Sequence, residues 1–367
     1  LPYADTIFFG SVLTIDPQAP RAEGVAVAGD RILAVGTAAE LHGLAGPHTR
    51  VIELGGRCLL PGFHDSHVHY TRHGLELTRL DLSATRSLAE ACSLLAEWSA
   101  RLPAGAWVRG NGFGLNTWGL PTIGRAEADA LEAAVGGRPT VLDSQDHHSS
   151  WSSRAVLQLA GVTAATATPA EGVVARDDAG VPTGLLAERA MDLVKGVIPA
   201  TSVTELRSAL AGAAKHFASL GVTTVHHMAA EPPDYFRELA LTASDDSYGV
   251  RVWACLPQES LEAAATIGLA TGIGGRNFTI GGAKFFADGA LGSRSAWMLE
   301  PYVGTDSVGV PVDGPEVLAR RIPLAVAAGL TPVVHAIGDA ANRAVLDAFE
   351  AARDSLAERG LRPRLEH

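Results

Sequence analysis

The stretch Leu59-Leu60-Pro61-Gly62-Phe63-His64-Asp65-Ser66-His67-Val68-His69 decides how the rest of the chain is read. It reads as a buried strand, turned in by Pro61-Gly62 and ending on two histidines one residue apart. Side chains alternate along a strand, so His67 and His69 point to the same face. Two imidazoles at a strand end suit a divalent metal such as zinc. A bare His-x-His pair is weak evidence, because such pairs are common by chance and are often only polar surface residues. Gly-Gly-Arg before the strand and Asp65 beside the pair strengthen it.

Upstream, residues 1–60 read as a small β unit, half of a sandwich. Thr6–Phe9, Ser11–Ile15, Gly24–Val27 and Arg31–Val35 are β-rich runs parted by Gly, Asp and Pro. Gly29-Asp30 between the last two is a hairpin signal. Nothing in this unit suggests chemistry.

Downstream, residues 86–101 carry Leu88, Ala91, Cys92, Leu95 and Trp98 on one helical face. The glycine-rich run 107–114 has no following helix to make a phosphate cradle and reads as a strand and loop. Residues 139–143 read as a strand running into the polar stretch Ser144–Trp151. A helix is expected over 152–161, capped by Ser152 or Ser153, then loops with a hairpin over 163–184 and a helix around 203–219. A regular rhythm follows. Strands are expected at 221–227, 251–256, 278–286, 331–335 and from 364, with helices at 315–328 and 340–357. Alternating strand and helix implies a parallel sheet with its site at the C-terminal strand ends.

Five residues stand at or near such ends: His67, His69, Lys284, His335 and His367. A lone histidine there is more often a hydrogen-bonded core residue than a ligand. Four of them at the ends of three parallel strands make a poor structural coincidence. Lys284 lies in an apolar run, where an unpaired ammonium is costly; burial lowers a lysine pKa and leaves a nucleophilic amine. The plain alternative for it is a salt bridge to Asp288 or another acid.

The 367 residues carry 40 acidic and 29 basic side chains, a formal charge of −11. That argues against nucleic acid, which needs a basic surface. Cys58, Cys92 and Cys255 are far apart and form no CxxC pair, as in a reducing compartment. No apolar run is long enough to span a membrane. A cytoplasmic location and a small-molecule substrate are the expectation. The start at Leu1 without Met implies residues missing upstream.

Taken together, Pro-Gly-Phe-x-Asp-x-His-x-His, Gly-Val-Thr-Thr-Val, Lys284-Phe-Phe-Ala-Asp-Gly-Ala-Leu-Gly-Ser-Arg294, His335-Ala-Ile-Gly-Asp339 and Glu366-His367 resemble the amidohydrolase superfamily. More narrowly they resemble its amidohydrolase-3 branch, which includes YtcJ-like proteins and N-substituted formamide deformylase. The resemblance covers essentially the whole chain. It implies an α/β fold: a (β/α)8 TIM-like metal-dependent hydrolase barrel with a β-sandwich part at residues 1–60. The barrel would comprise 61–74 and 206–367, with 75–205 as a large insertion after strand 1, a lid over the site. It further implies one or two divalent metals, zinc by preference, on His67, His69, Lys284, His335 and His367, with Lys284 carboxylated to bridge them. His147 and His148 in the lid would contact substrate, His147 also as a catalytic group holding the oxyanion; an ordinary polar loop pair is almost as good a reading. Asp288 and Arg294 would line the substrate site, and a homodimer is a family-based expectation.

The family's strand-8 aspartate has no counterpart, because the chain stops on strand 6. Strands 7 and 8 are expected in a longer protein. Asp339 reads as a helix N-cap and Asp288 as a loop residue, so neither replaces that aspartate. The expected activity is metal-assisted hydrolysis of an amide-like C–N bond in an amide or N-formyl or N-acyl amine. Deamination of a cyclic amidine, or ester or lactone hydrolysis, on the same ligands is the alternative; a non-catalytic relative is the third reading.

Overall fold

The computed structural model describes residues 3–170, 172–229, 231–245, 248–291 and 294–367. Gly292 and Ser293 of the Lys284–Arg294 motif lie outside the described residues. The chain forms two compact units: residues up to His64 with Gly221–Thr223, and Asp65–Leu220 with Thr224–His367.

The first unit is built on β1 (Ala4–Leu13), β2 (Arg21–Ala28), β3 (Arg31–Gly36), the short helix α1 (Ala38–His42) and β4 (Ala45–Leu59). They form one sheet in the order β3-β2-β1-β4. The β2–β3 hairpin turns at Gly29, whose φ of 58° suits glycine, as expected. The two strands expected at Thr6–Phe9 and Ser11–Ile15 are instead one strand, with a register shift between Phe9 and Val12. Gly10 sits at that shift with φ 139°, and a Cβ there would meet Leu54 Cβ at 2.8 Å. Glycine therefore lets the chain bulge without breaking the strand. The fifteen-residue β4, parallel to β1, was not expected. Its Pro47, Gly55 and Gly56 mask it as a loop. Thr37 and Glu40 close a capping box on α1, and Ile7, Phe9, Ala26 and Leu41 fill the core beneath it.

The second unit opens within β5 (Phe63–Val68), at Asp65, and continues into α2 (Tyr70–Glu76). A second sheet follows, made of β6 (Leu80–Asp81), β7 (Val108–Phe113), β8 (Thr140–Ser144), β9 (Ser149–Ser152), β10 (Gly172–Arg176) and β11 (Pro182–Glu188), in the order β10-β11-β9-β8-β7-β6. Helices α3 (Leu88–Arg101), α4 (Leu115–Trp118), α5 (Arg125–Val135), α6 (Arg154–Leu159) and α7 (Asp192–Lys195) connect or flank its strands. Helix α3 starts from Ser87, whose hydroxyl accepts the Glu90 N–H, and buries Ala91 and Leu95 as its period demands. The polar run after β8 is a tight return: β8 and β9 pair antiparallel, and His147 makes the turn with φ 63°. The helix expected over 152–161 is correspondingly shorter. Ser152 stays in β9, and Ser153 stands at the N-cap of α6 with its hydroxyl bonded to Arg138 O and Thr140 N instead.

Trp151 is fully buried between Phe113 and Trp118, with ring centres 6.3 and 6.4 Å away in edge-on geometry. Replacing Trp151 with Ala is therefore expected to cost about 3–5 kcal/mol. Chemical denaturation followed by tryptophan fluorescence and circular dichroism reads this as a fall in the midpoint.

The chain then returns through α8 (Val203–Ser219), capped by Ser202. It continues as β12 (Val222–His227), α9 (Pro233–Ala243), β13 (Arg251–Leu256), α10 (Leu261–Ile267), β14 (Phe278–Phe286), α11 (Pro315–Ala327), β15 (Pro332–His335), α12 (Asp339–Ala351), α13 (Arg353–Glu358) and β16 (Arg364–Glu366). The strands lie in the order β16-β15-β14-β13-β12-β5, and β12 to β16 are parallel, neighbour to neighbour. The near-continuous burial of β14 is what a strand covered on both faces requires. The two edge strands meet across the curl: Arg364 donates to the Ser66 carbonyl at 2.7 Å, and His67 bonds Glu366. Six parallel strands thus form a nearly closed barrel; a seventh and eighth are not among the described residues.

The helix expected over 340–357 is two, α12 and α13, divided at Ala352. Asp339 is not its N-cap. Gly338 holds that position, and the Asp339 carboxylate accepts the Leu299 N–H at 2.7 Å, tying down the long β14–α11 loop. No helix among the described residues is long and apolar enough to cross a membrane.

Candidate metal centre

Parallel strands deliver their C-terminal ends to one rim. His67 lies near the end of β5, His69 caps α2 just after it, Lys284 is on β14, His335 ends β15 and His367 follows β16. The structure brings these five together. His67 and His367 have ring centres 4.7 Å apart, His335 and His367 4.7 Å, and His67 and His69 5.8 Å.

Lys284 is 1% exposed, and its Nζ has no hydrogen-bond partner. It lies 5.0 Å from the Phe286 ring centre. Burial, partly opposed by the neighbouring Cys255 thiol and Glu366 carboxylate, pushes its pKa down to about 8. Burial likewise pushes the imidazoles of His69 and His367 down to about 4, and lowers that of His335. For His69 the Glu231 carboxylate pulls the other way. For His367 the neighbouring charges of His335, His67 and Lys284 add to burial. Neutral imidazoles and an amine partly neutral near pH 8 are the protonation states that metal ligation needs.

Two contacts set which nitrogens remain for a ligand. His67 Nδ1 bonds the Glu366 carboxylate at 2.6 Å, and His335 Nε2 bonds the Gly289 carbonyl at 2.9 Å. That leaves His67 Nε2 and His335 Nδ1. Among the described residues no three His, Cys, Asp or Glu side chains already converge on one point as a metal site. The donor chemistry nevertheless fits a borderline divalent ion: four imidazoles and an orphaned buried amine in one place.

Glu366 is the functional side chain to which the sequence reading gave no role. Burial alone would raise its pKa; the bond from His67 and the Arg364 guanidinium, 2.8 Å away, overcome this and hold it below the ordinary carboxylate value. His227, fully buried at the end of β12 and 3.5 Å from Glu231, also stands next to His69. Its signal in the sequence is a histidine ending a strand, at the close of the 221–227 run.

Other expected site residues sit differently. Asp288, expected to touch substrate, is 2% exposed, and its carboxylate accepts the backbone N–H groups of Trp297, Ile337 and Gly338 at 2.7–3.0 Å. It braces the loops around His335, whose Nε2 is 3.5 Å away. Arg294 is exposed on the same loop. His148 lies 3.1 Å from Glu188. The charged neighbours of His147 are Arg72, Glu76, Asp143 and Asp146, none of them in the histidine cluster.

The chain is 33% identical over 371 residues to the Arabidopsis thaliana protein LONG AFTER FAR-RED 3, covering 98% of this chain and 63% of that protein. It is 32% identical over 350 residues to YtcJ of Bacillus subtilis (strain 168), covering 93% and 65%. It thus spans less than two thirds of the length of either relative. Over 193 residues it is 32% identical to N-substituted formamide deformylase of Arthrobacter pascens, covering 51% of this chain and 35% of that enzyme. The crystal structure of an uncharacterized metal-dependent hydrolase from Pyrococcus horikoshii OT3 superposes with a TM-score of 0.76 at 25% identity, over 99% of this chain and 70% of that one. Residues 50–367 match the amidohydrolase family model, and the chain belongs to the amidohydrolase family.

Proposed function

We propose that this protein is a metal-dependent hydrolase of a non-peptide C–N bond, in an amide or an N-formyl or N-acyl amine. The observation that carries the reading is the meeting of His67, His69, His335 and His367 with the buried, unpartnered Lys284 at one rim of the barrel. These residues would hold one or two divalent ions, zinc by ligand preference. An ion there supplies Lewis acidity toward a carbonyl and lowers the pKa of a water.

The chain's own residues supply the rest. Glu366 fixes the His67 tautomer by accepting at Nδ1, so that Nε2 faces the centre. Asp288 pins the backbone just after His335, at Ile337 and Gly338, and the Trp297 loop beside it. The Lys284 amine, with its pKa brought to about 8, keeps a neutral fraction that adds to carbon dioxide. The nitrogen lone pair forms the N–C bond, one proton leaves, and the lysine becomes an anionic carbamate, a better ligand than an amine.

The test is metal analysis with a substrate panel. Purified protein is expected to carry divalent metal in stoichiometric amount, to lose turnover of N-formyl or N-acyl amines on chelation, and to regain it on metal return. Activity confined to cyclic amidines, esters or lactones moves the reaction class while keeping the centre. No stoichiometric metal, and no activity when metal is supplied, removes the proposal.

A further inference from the structure

A cleft of about 330 Å³ opens between α2 and the β6–β8 side of the second sheet. His73 and Glu76 of α2, Arg79 just after it, Asn111 of β7 and His147 of the β8–β9 turn line it. Four of these side chains each bring a polar atom that is withdrawn from solvent and has no hydrogen-bond partner: His73 Nε2, Arg79 Nε, Asn111 Oδ1 and His147 Nδ1. Buried polar atoms are ordinarily paired, so four orphans around one cleft call for a cause.

The chemistry of the missing partner follows from what is already engaged. Glu76 Oε1 takes Arg72 Nε at 3.1 Å and lies 3.7 Å from His147 Nε2. Asp81 Oδ1 takes the Ser83 N–H at 2.8 Å. The Arg79 guanidinium has only a loose approach to Asp143, 3.8 Å away. Of the four orphans, Arg79 Nε–H donates in every state, His73 Nε2 and His147 Nδ1 donate in one tautomer each, and Asn111 Oδ1 accepts until the amide is turned over. Arg72, Arg79 and Arg109 stand around the cleft among the carboxylates of Glu76, Asp81, Asp143, Asp146 and Glu205. The Arg79 guanidinium fork, held only loosely by Asp143, matches a planar carboxylate.

We propose that this cleft binds a small carboxylate, with Arg79 as its anchor and His73, Asn111 and His147 donating around it. The site starts one helical turn beyond His69, since the His73 N–H donates to the His69 carbonyl at 2.9 Å. Binding here needs neither metal nor turnover, so its test is separate from that of the histidine centre.

The experiment is calorimetric and saturation-transfer NMR titration with acetate and with succinate, on metal-free and metal-loaded protein, at ionic strength held constant with sodium chloride. Saturable binding is expected in both forms. Arg79→Gln should weaken it at least tenfold, and Asn111→Ala at least threefold, with unchanged near-UV circular dichroism showing that each variant is folded. Arg79→Lys should recover only part of the loss, because it keeps the charge and not the fork. Arg101→Gln, at an exposed ion pair on α3, and His335→Ala should leave affinity within twofold of wild type. No saturable binding, which would leave only water in the cleft, overturns the proposal. So does equal binding by folded Arg79→Gln and Asn111→Ala proteins, or a loss seen only with His335→Ala, which would place the anion at the metal centre.

Discussion

Lys284→Ala, in protein loaded with divalent metal, is expected to lower turnover of an N-acyl amine by on the order of a thousandfold or more, about 4 kcal/mol of barrier. Lys284 is 1% exposed in a strand whose other residues are almost all buried, and its Nζ has no hydrogen-bond partner. A long polar side chain kept there at such desolvation cost is explained by what it holds. The alanine variant should fold, since truncation removes an unpaired polar atom along with the methylenes. A steady-state assay gives the rate, and thermal unfolding of the metal-free variant separates chemistry from stability. Wild-type turnover by the alanine protein would show that the amine is structural only. Restoration by an added short-chain carboxylic acid would tie the loss to a missing bridging carboxylate.

Glu366→Ala is expected to weaken divalent-metal affinity by roughly 10- to 100-fold. Its carboxylate is the partner of His67 Nδ1 at 2.6 Å and of Arg364 at 2.8 Å, a short chain of charge that crosses between the two edge strands. Without it, the imidazole can rotate or change tautomer, and Nε2 is no longer directed at the centre. Competition with a chelating dye reads the affinity directly. If the role were only to close the barrel, metal-free stability would drop while affinity stayed within twofold of wild type.

The parts of this site that the sequence showed are those set by short-range rules. A period of two places His67 and His69 on one face, and an apolar run around Lys284 announces burial. Parallel strands ending in histidine imply a shared rim. What stayed hidden depends on residues far apart in the chain. Glu366 meets His67 across 299 positions, and no local pattern marks that pairing. The Asp288 carboxylate reads as a polar loop residue until Trp297, Ile337 and Gly338 are seen to donate to it. The cleft at Arg79 has the same origin, because α2, β7 and the His147 turn converge only in the folded chain. In the first unit the error was local: Pro47 and Gly55-Gly56 suggest a loop, and pairing with β1 overrides them in β4.

The central claim is that remote imidazoles and one modified amine share a cation. A crystal structure of the metal-loaded protein, with diffraction collected at the absorption edge of the ion, tests it most directly. The account predicts an anomalous peak bounded by His67, His69, His335 and His367, and density for a carboxylate on Lys284 Nζ. A fully loaded protein whose ion lies elsewhere, with Lys284 bare and the four imidazoles uncoordinated, would contradict it.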